Sequence, residues 1–371
     1  MLEQEKKYWI GFNRIRGIGA VRTKMLLDSF GSLSIAWNAP RSALEQAGLG
    51  KKIVASFLKE RESYDLDREC EKILNAGIEI VLLDDERYPQ RLKNIEQPPP
   101  VLFIRGNVAP EDNFSVAIVG TRAKTAYGKQ VAQDLANFLA RNGVTVVSGL
   151  ARGIDSIAHE ASLDAGGRTL AVFGSGVDVI YPPEHRNLAE RIIENGALIS
   201  DYYPGTHPES KNFPPRNRII SGLSIAVVII EAGERSGALI TAEFAALQGR
   251  EVFAVPGPVY APRSKGTNRL IRDGALPLVN FDELLTVLDL DQIAEYRYAR
   301  KMLPQSDIEL LLFNAMKNEP MHINDIKANT GLSMEKVSST LVMMELKGMI
   351  NKVGNMMYIS ISDENSDYEV R

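Results

Sequence analysis

From residue 114 to about 290, short and almost wholly apolar runs alternate with longer stretches whose apolar residues recur every three or four positions. FSVAIVG, VTVVSG, TLAVFG, ALIS, SIAVVIIE and EVFAVPG predict strands, and AYGKQVAQDLANFLARNG, GIDSIAHEASLDAGG, HRNLAERIIENG, RNRIISG and GALITAEFAALQGR predict the helices around them. Strands this uniformly apolar, separated by helices, belong to a parallel sheet buried on both faces. The expected core is therefore α/β, an extended Rossmann-like doubly wound parallel sheet over residues 106–295. Three of its strands run directly into Gly120, Gly149 and Gly174, and ligands of such sheets bind beyond the carboxyl ends of the strands.

The flanking patterns differ. Residues 1–105 read as helical, with IRGIGAVRTKMLLDSFGS at 15–32 and ALEQAGLGKKIVASFLKE at 43–60 repeating a helix, a tight Gly-x-Gly turn and a second helix. Two such hairpins in tandem predict a small SAM-like domain, and the amides after the glycines can hold a phosphate as any helix N-terminus can. Simple helix packing is the alternative use of the same turns. Residues 296–371 give three short helices in DIELLLFNAMKN, HINDIKANT and SMEKVSSTLVMMELKGMI, then a hairpin in NKVGNMMYIS. That order predicts a winged helix, followed by an acidic tail, SDENSDYEVR.

Composition narrows the class. The 371 residues are 44% hydrophobic and 24% charged, as expected of a folded soluble protein. No apolar run approaches the length needed to span a bilayer, and MLEQEKKYW is too polar for a signal peptide. Cys70 is the only cysteine, which excludes an intrachain disulfide and makes the cytoplasm the expected compartment. The net charge of −4 excludes an all-over cationic coat but leaves room for a local basic groove.

The candidate chemistry lies at the strand ends. GTRAKTAYG combines Gly120, for close backbone approach, with the hydroxyl of Thr121 and the planar donor fork of Arg122. SGLARGID adds Arg152 ahead of a helix, and GSGVDVIYP shapes the same rim. Asp155 and Asp178 are candidate acids, with helix capping and turn bracing as the plainer roles. In SKNFPPRNRIISG, Lys211, Arg216 and Arg218 supply charge, Asn217 a polar amide, and Phe213 a ring placed to stack on a base. Arginines in the first turn after a Pro-Pro step oppose the helix dipole, an arrangement that an anion would relieve. Their alternative is an internal pairing with a carboxylate such as Glu231. Ser236 and Gly237 precede another helix in EAGERSGALITA, and Lys265 lies in the basic stretch APRSKGTNRLIRDG with Arg263, Arg269 and Arg272. Cations on several loops of this fold are expected to converge on one edge.

Other chemistries lack support. GxGxxG, Walker A, HExxH, paired-cysteine and GxSxG patterns are missing, and the four histidines are too scattered for a metal site. We therefore expect no cofactor and no catalytic residues.

Taken together, GTRAKTAYG, SGLARGIDSIAH, VFGSGVDVIYP, FPPRNRIISGLS, EAGERSGALITA and PGPVYAPRSKGTNRLI resemble the DprA/Smf family, the bacterial DNA-processing proteins of natural transformation. The resemblance extends over nearly the whole chain. It implies a homodimer that binds single-stranded DNA, delivers it to RecA recombinase, and displaces or bypasses single-strand-binding protein. By position, Gly120-Thr121-Arg122 matches the family's Gly-Ser-Arg turn, and Lys211, Phe213, Arg216, Asn217 and Arg218 fall in its strand-binding segment. Residues 333–347 carry balanced charge, so the winged helix is expected to be accessory or protein-contacting rather than duplex-reading. The rival is an enzyme. The core is also similar to nucleotide phosphoribohydrolases of the lysine-decarboxylase-like superfamily, with Glu231 and Glu243 as candidate carboxylates. The Pro-Gly-Gly entry of those enzymes is replaced here by Glu231-Ala232-Gly233-Glu234-Arg235.

Overall fold

A computed structural model of the chain describes residues 2–290, 306–316, 320–347, 349–354 and 356–360. The six predicted apolar runs all become strands and three more join them, giving β1 (Glu79–Leu82), β2 (Val101–Gly106), β3 (Ser115–Val119), β4 (Thr145–Ser148), β5 (Thr169–Val172), β6 (Gly196–Ser200), β7 (Ala226–Ile229), β8 (Glu251–Ala254) and β9 (Leu276–Pro277). They make one sheet in the order β1-β2-β6-β5-β4-β3-β7-β8-β9. Every neighbouring pair from β6 to β9 is parallel, while β2 runs antiparallel to β6 and β1 antiparallel to β2. Residues of β3 to β7 are buried throughout because helices cover both faces.

The winding fixes where a ligand can sit. From β3 the chain adds β4, β5 and β6 in one direction, then returns to place β7, β8 and β9 on the other side of β3. Connections leave β3 and β7 on opposite sides of the sheet, which opens a crevice beyond their carboxyl ends. Around the sheet lie Ala126–Arg141, Ile154–Asp164, Arg186–Glu194, Phe213–Leu223 and Ala238–Leu247.

The helical region packs onto this sheet within the same compact unit, residues 1–290. Both Gly-x-Gly turns precede helices as expected, Ala20–Phe30 and Lys51–Ser63. Phe12, Trp37 and Phe57 form its aromatic centre, with rings 5.0–5.2 Å apart. Buried Ile10 and Phe12 of the helical region share one apolar core with Phe103 and Leu198 of the sheet, and polar contacts edge it: the Tyr64 and Tyr203 hydroxyls are 2.7 Å apart, and Asn13 Nδ2 donates to the Asp201 carbonyl at 3.1 Å. The sequence reading kept residues 79–105 with the helical region, but their strands extend the central sheet through the β2–β6 pairing.

The second unit contains the helices Asp307–Ala315, Ile323–Thr330 and Met334–Leu346 with three further strands, β10 (Met321–His322), β11 (Ile350–Lys352) and β12 (Met357–Ser360). The strand order β10-β12-β11 and the buried Leu312, Ile326, Val337, Leu341 and Ile350 give a winged-helix-like body with its own core. The expected acidic tail lies outside the described residues. Among the described residues, no helix is long and apolar enough to cross a membrane.

Candidate nucleic-acid interface

The turn after β3 hangs on the end of β7. Glu231, 4% exposed, accepts hydrogen bonds at its carboxylate from Thr125 N at 2.9 Å and Thr125 Oγ1 at 2.5 Å. Its carbonyl accepts from Thr121 N at 2.8 Å. Thr125 in turn caps Ala126–Arg141, its hydroxyl oxygen accepting from Gly128 N at 3.0 Å. Glu231 is thus occupied in holding the turn that presents Arg122. Glu243, the other candidate carboxylate of the enzyme reading, is exposed and lines a different depression.

The turn after β4 is drawn tightly beside it. Gly153 has φ +88, and a β-carbon there would lie 2.4 Å from the Thr121 carbonyl and 2.7 Å from Arg122 Cα. Only glycine allows these two turns to touch. Buried Leu150 adopts φ 55, and its carbonyl lies 2.9 Å from His185 Nδ1. Asp155 faces back from the helix start and accepts from Gly149 N at 3.2 Å. Burial raises its pKa, against the pull of Arg216 and hydrogen bonds from the Ala151 and Gly149 amides. Asp178 accepts from Gly205 N at 2.8 Å. Both acids brace turns.

Arg216 occupies the converging ends of β4 and β5. It is 5% exposed, and Nη1 donates to the Gly149 carbonyl at 2.9 Å and to the Val172 carbonyl. A β-carbon on Gly149 would stand 2.6 Å from this guanidinium. Burial lowers the Arg216 pKa to about 10, opposed by Asp155. Nε is buried without a hydrogen-bond partner among the described residues. The sequence predicts Arg216 and Arg218 as phosphate ligands, with internal bracing as the alternative. Instead, Arg216 is a buried brace in the wall of the crevice.

The crevice is a 510 Å³ cleft. Phe213 stands in it with Arg122 Cζ 5.8 Å from its ring centroid, Arg216 Cζ also at 5.8 Å, and the Tyr181 ring at 5.9 Å. Arg122 is exposed and has no ion-pair partner among the described residues. Asn217, Ser236 and Gly237 complete the opposite wall, where Asn217 Nδ2 donates to the Gly237 carbonyl at 3.3 Å. An unpaired guanidinium over a ring, beside small residues at a helix start, suits a phosphate with a flat base attached.

Seven of the twelve expected residues line this cleft: Gly120, Arg122, Phe213, Arg216, Asn217, Ser236 and Gly237. Thr121 is turned into its own loop, where Oγ1 accepts from Ala123 N at 3.2 Å. All four remaining cations have carboxylate partners, and for three of them these are Glu184 at 2.5 Å from Arg152, Glu234 at 3.6 Å from Lys265, and Glu209 beside Lys211. Arg218 pairs with Asp201 at 2.7 Å and donates to the Gln97 carbonyl at 2.6 Å, so the internal carboxylate is Asp201 and not Glu231. Lys211 and Arg218 belong to a different cleft. Convergence on one edge therefore extends to the turns after β3 and β7 and to the start of Phe213–Leu223, but not to Lys265. Tyr181, 38% exposed, was missed by the sequence reading; an aromatic closing a glycine-rich loop before a proline was the available signal.

Comparison with known proteins gives the family. The sequence model described as "DNA recombination-mediator protein A" matches residues 79–289, and that of the "DprA winged helix domain" matches residues 299–355. The Smf protein of Synechocystis sp. is 33% identical, over 96% of this chain and 99% of its own. The DNA processing protein DprA of Bacillus subtilis is 44% identical over 67% of this chain and 82% of its own. The solved DprA of Streptococcus pneumoniae superposes with a TM-score of 0.67 at 33% identity, covering 76% of this chain and 97% of that one. The Helicobacter pylori DNA processing protein A, described for its single-stranded DNA binding mode, gives 0.53 at 32% identity over 58% and 96%. The chain belongs to the DNA recombination-mediator protein A family, DprA/Smf.

Proposed function

We propose that this protein binds single-stranded DNA in the cleft beyond β3 and β7 and, as a recombination mediator, loads RecA recombinase onto incoming DNA in the cytoplasm during natural transformation. The observation that carries the reading is the exposed, unpaired Arg122 guanidinium over the Phe213 ring. In this reading Arg122 takes a phosphate, Phe213 and Tyr181 stack on bases, and the amide-rich start near Ser236 and Gly237 receives a second phosphate. Arg216 shapes the wall. The 32% identical Helicobacter pylori relative, described as binding single-stranded DNA, supports the ligand class. RecA, single-strand-binding protein and a second copy of this chain are proposed partners through the family. An extended Rossmann-like core at 106–295, between a SAM-like region and a winged helix, is the proposed division.

Salt-dependent titrations with single-stranded oligonucleotides test this. Arg122→Ala should weaken binding equally for all sequences and reduce the salt slope by roughly 0.7, the amount released per phosphate contact. Phe213→Ala should cost ~1–3 kcal/mol with little change in slope, because stacking releases few ions. Unchanged affinity in both variants would refute the assignment of the cleft.

A further inference from the structure

We propose that the same DNA strand continues out of this cleft into a second one, between the first Gly-x-Gly turn and the segment after β6, so that the helical region holds its phosphates. The inference rests on the single-strand reading above and extends it to a site outside the sheet crevice.

The second cleft measures 800 Å³. Its cations are Arg14, Arg16 and Arg22 from the helical region, with Lys211 and Arg218 from the α/β region. Only two carboxylates line it, Asp201 and Glu209, and Glu60 just outside pairs with Arg14 at 3.4 Å, leaving Arg16 and Arg22 as two positive charges in excess in a protein whose net charge is −4. Arg218 and Lys211 neutralise those two carboxylates directly. Arg16 is exposed and has no ion-pair partner among the described residues. Arg14 lies 4.4 Å from the Tyr64 ring centroid and 5.5 Å from that of Tyr203, a stacked cation held over an aromatic floor. Cations gathered from separate elements against the overall charge balance describe a local anion groove.

Continuity comes from the short turn Ser210–Asn212. Ser210 and Phe213 line the first cleft, whereas Lys211 and Asn212 line the second. One turn of backbone is therefore the shared wall, and a chain stacked on Phe213 has only this ridge to cross. A polymer with a charge on every residue suits two adjoining clefts that both favour anions. The helix Ala20–Phe30 also starts at this cleft, with Gly19 providing no side-chain cap.

Length separates the two clefts experimentally. Fluorescence anisotropy on the full chain would compare Arg16→Glu with the unchanged protein, using oligonucleotides of about 6 and about 20 nucleotides, since single-strand sites span ~4–16. We expect Arg16→Glu to weaken the longer strand roughly fivefold or more and to reduce its salt slope by roughly 0.7, with the shorter strand unaffected. Lys211→Ala should show the same length dependence. Equal affinity of Arg16→Glu and unchanged protein for the longer strand, or equal weakening at both lengths, would overturn the continuation. Arg122→Ala provides the separate control. Loss at both lengths supports the first cleft, whereas no loss at either refutes that cleft and leaves the Arg16 result to decide the second. Both Arg16 and Lys211 are exposed, so a melting temperature equal to that of the unchanged protein confirms that the variants are folded.

Discussion

Arg122 and Arg216 lie equally far from the Phe213 ring, yet they do different things. Arg122 meets solvent, whereas Arg216 ties together two strand ends whose carbonyls would otherwise converge unpaired beside Asp155. Replacing Arg216 with methionine should destabilise the fold by about 3 kcal/mol or more, as expected when one partner of a buried charge network is removed. Urea unfolding measures this, and a loss below about 0.5 kcal/mol would remove the bracing role, since substitutions away from such networks cost that little. His159 gives a second residue-scale test. It is fully buried, and its Nδ1 lies 2.7 Å from Thr169 Oγ1, a hydroxyl that itself donates to the Val146 carbonyl. Nδ1 therefore carries the hydrogen in that contact, while Nε2 has no partner among the described residues. Burial, assisted by His185 and Arg216, lowers its pKa from 6.5 to about 3. Between those values the unfolded state binds the extra proton, so stability falls as pH falls. Relative to His159→Gln, the unchanged protein should lose about 1.4 kcal/mol per pH unit from pH 6 towards 4. Parallel stability curves for the two proteins would contradict this.

At the scale of elements, the cleft depends on two turns that touch. Gly153 lets the turn after β4 reach Thr121 and Arg122, and Glu231 anchors the far side of the same turn through Thr125. Gly153→Ala should therefore move Arg122 and weaken single-strand binding, in addition to the stability loss of roughly 1–2 kcal/mol expected for positive φ alone. Gly166→Ala is the matched control, because Gly166 has φ +76 but nothing within 4 Å of the added carbon. It should lose stability and keep full affinity. Similar binding losses in both would trace the effect to general destabilisation. The strands and helices around these turns were legible because their apolar periodicity is local. The inclusion of β1 and β2 in the sheet was not, since strand pairing across nearly a hundred residues leaves no mark in either segment alone.

Across the molecule, residues 1–290 form one unit containing both clefts, and the winged-helix-like body forms another. The third helix of that body exposes Val342 and Met343, each about half accessible, beside its balanced charges. Such a face suits contact with protein better than with phosphate. Removing residues beyond 290 should therefore leave single-strand affinity within roughly tenfold, and a fall of 100-fold or more would make this body a principal DNA surface. The proposed homodimer should persist in the same truncated protein by light scattering, because exposed Val259 and Tyr260, which follow β8, lie within the retained residues. A monomer mass would place the dimer contact elsewhere. The amino-acid sequence by itself determined the order of elements, the carboxyl-edge location of the site and the residue types that meet there. Those follow from hydrophobic period and from glycine at strand ends, which neighbouring residues set. Tertiary structure alone decided which cations are free. Arg218 finds Asp201, Arg152 finds Glu184 and Arg216 finds the ends of β4 and β5, whereas Arg122 and Arg16 form no ion pair among the described residues. A charge is available to DNA only when no nearby group has already neutralised it, and those neighbours are fixed by the fold and not by proximity in sequence.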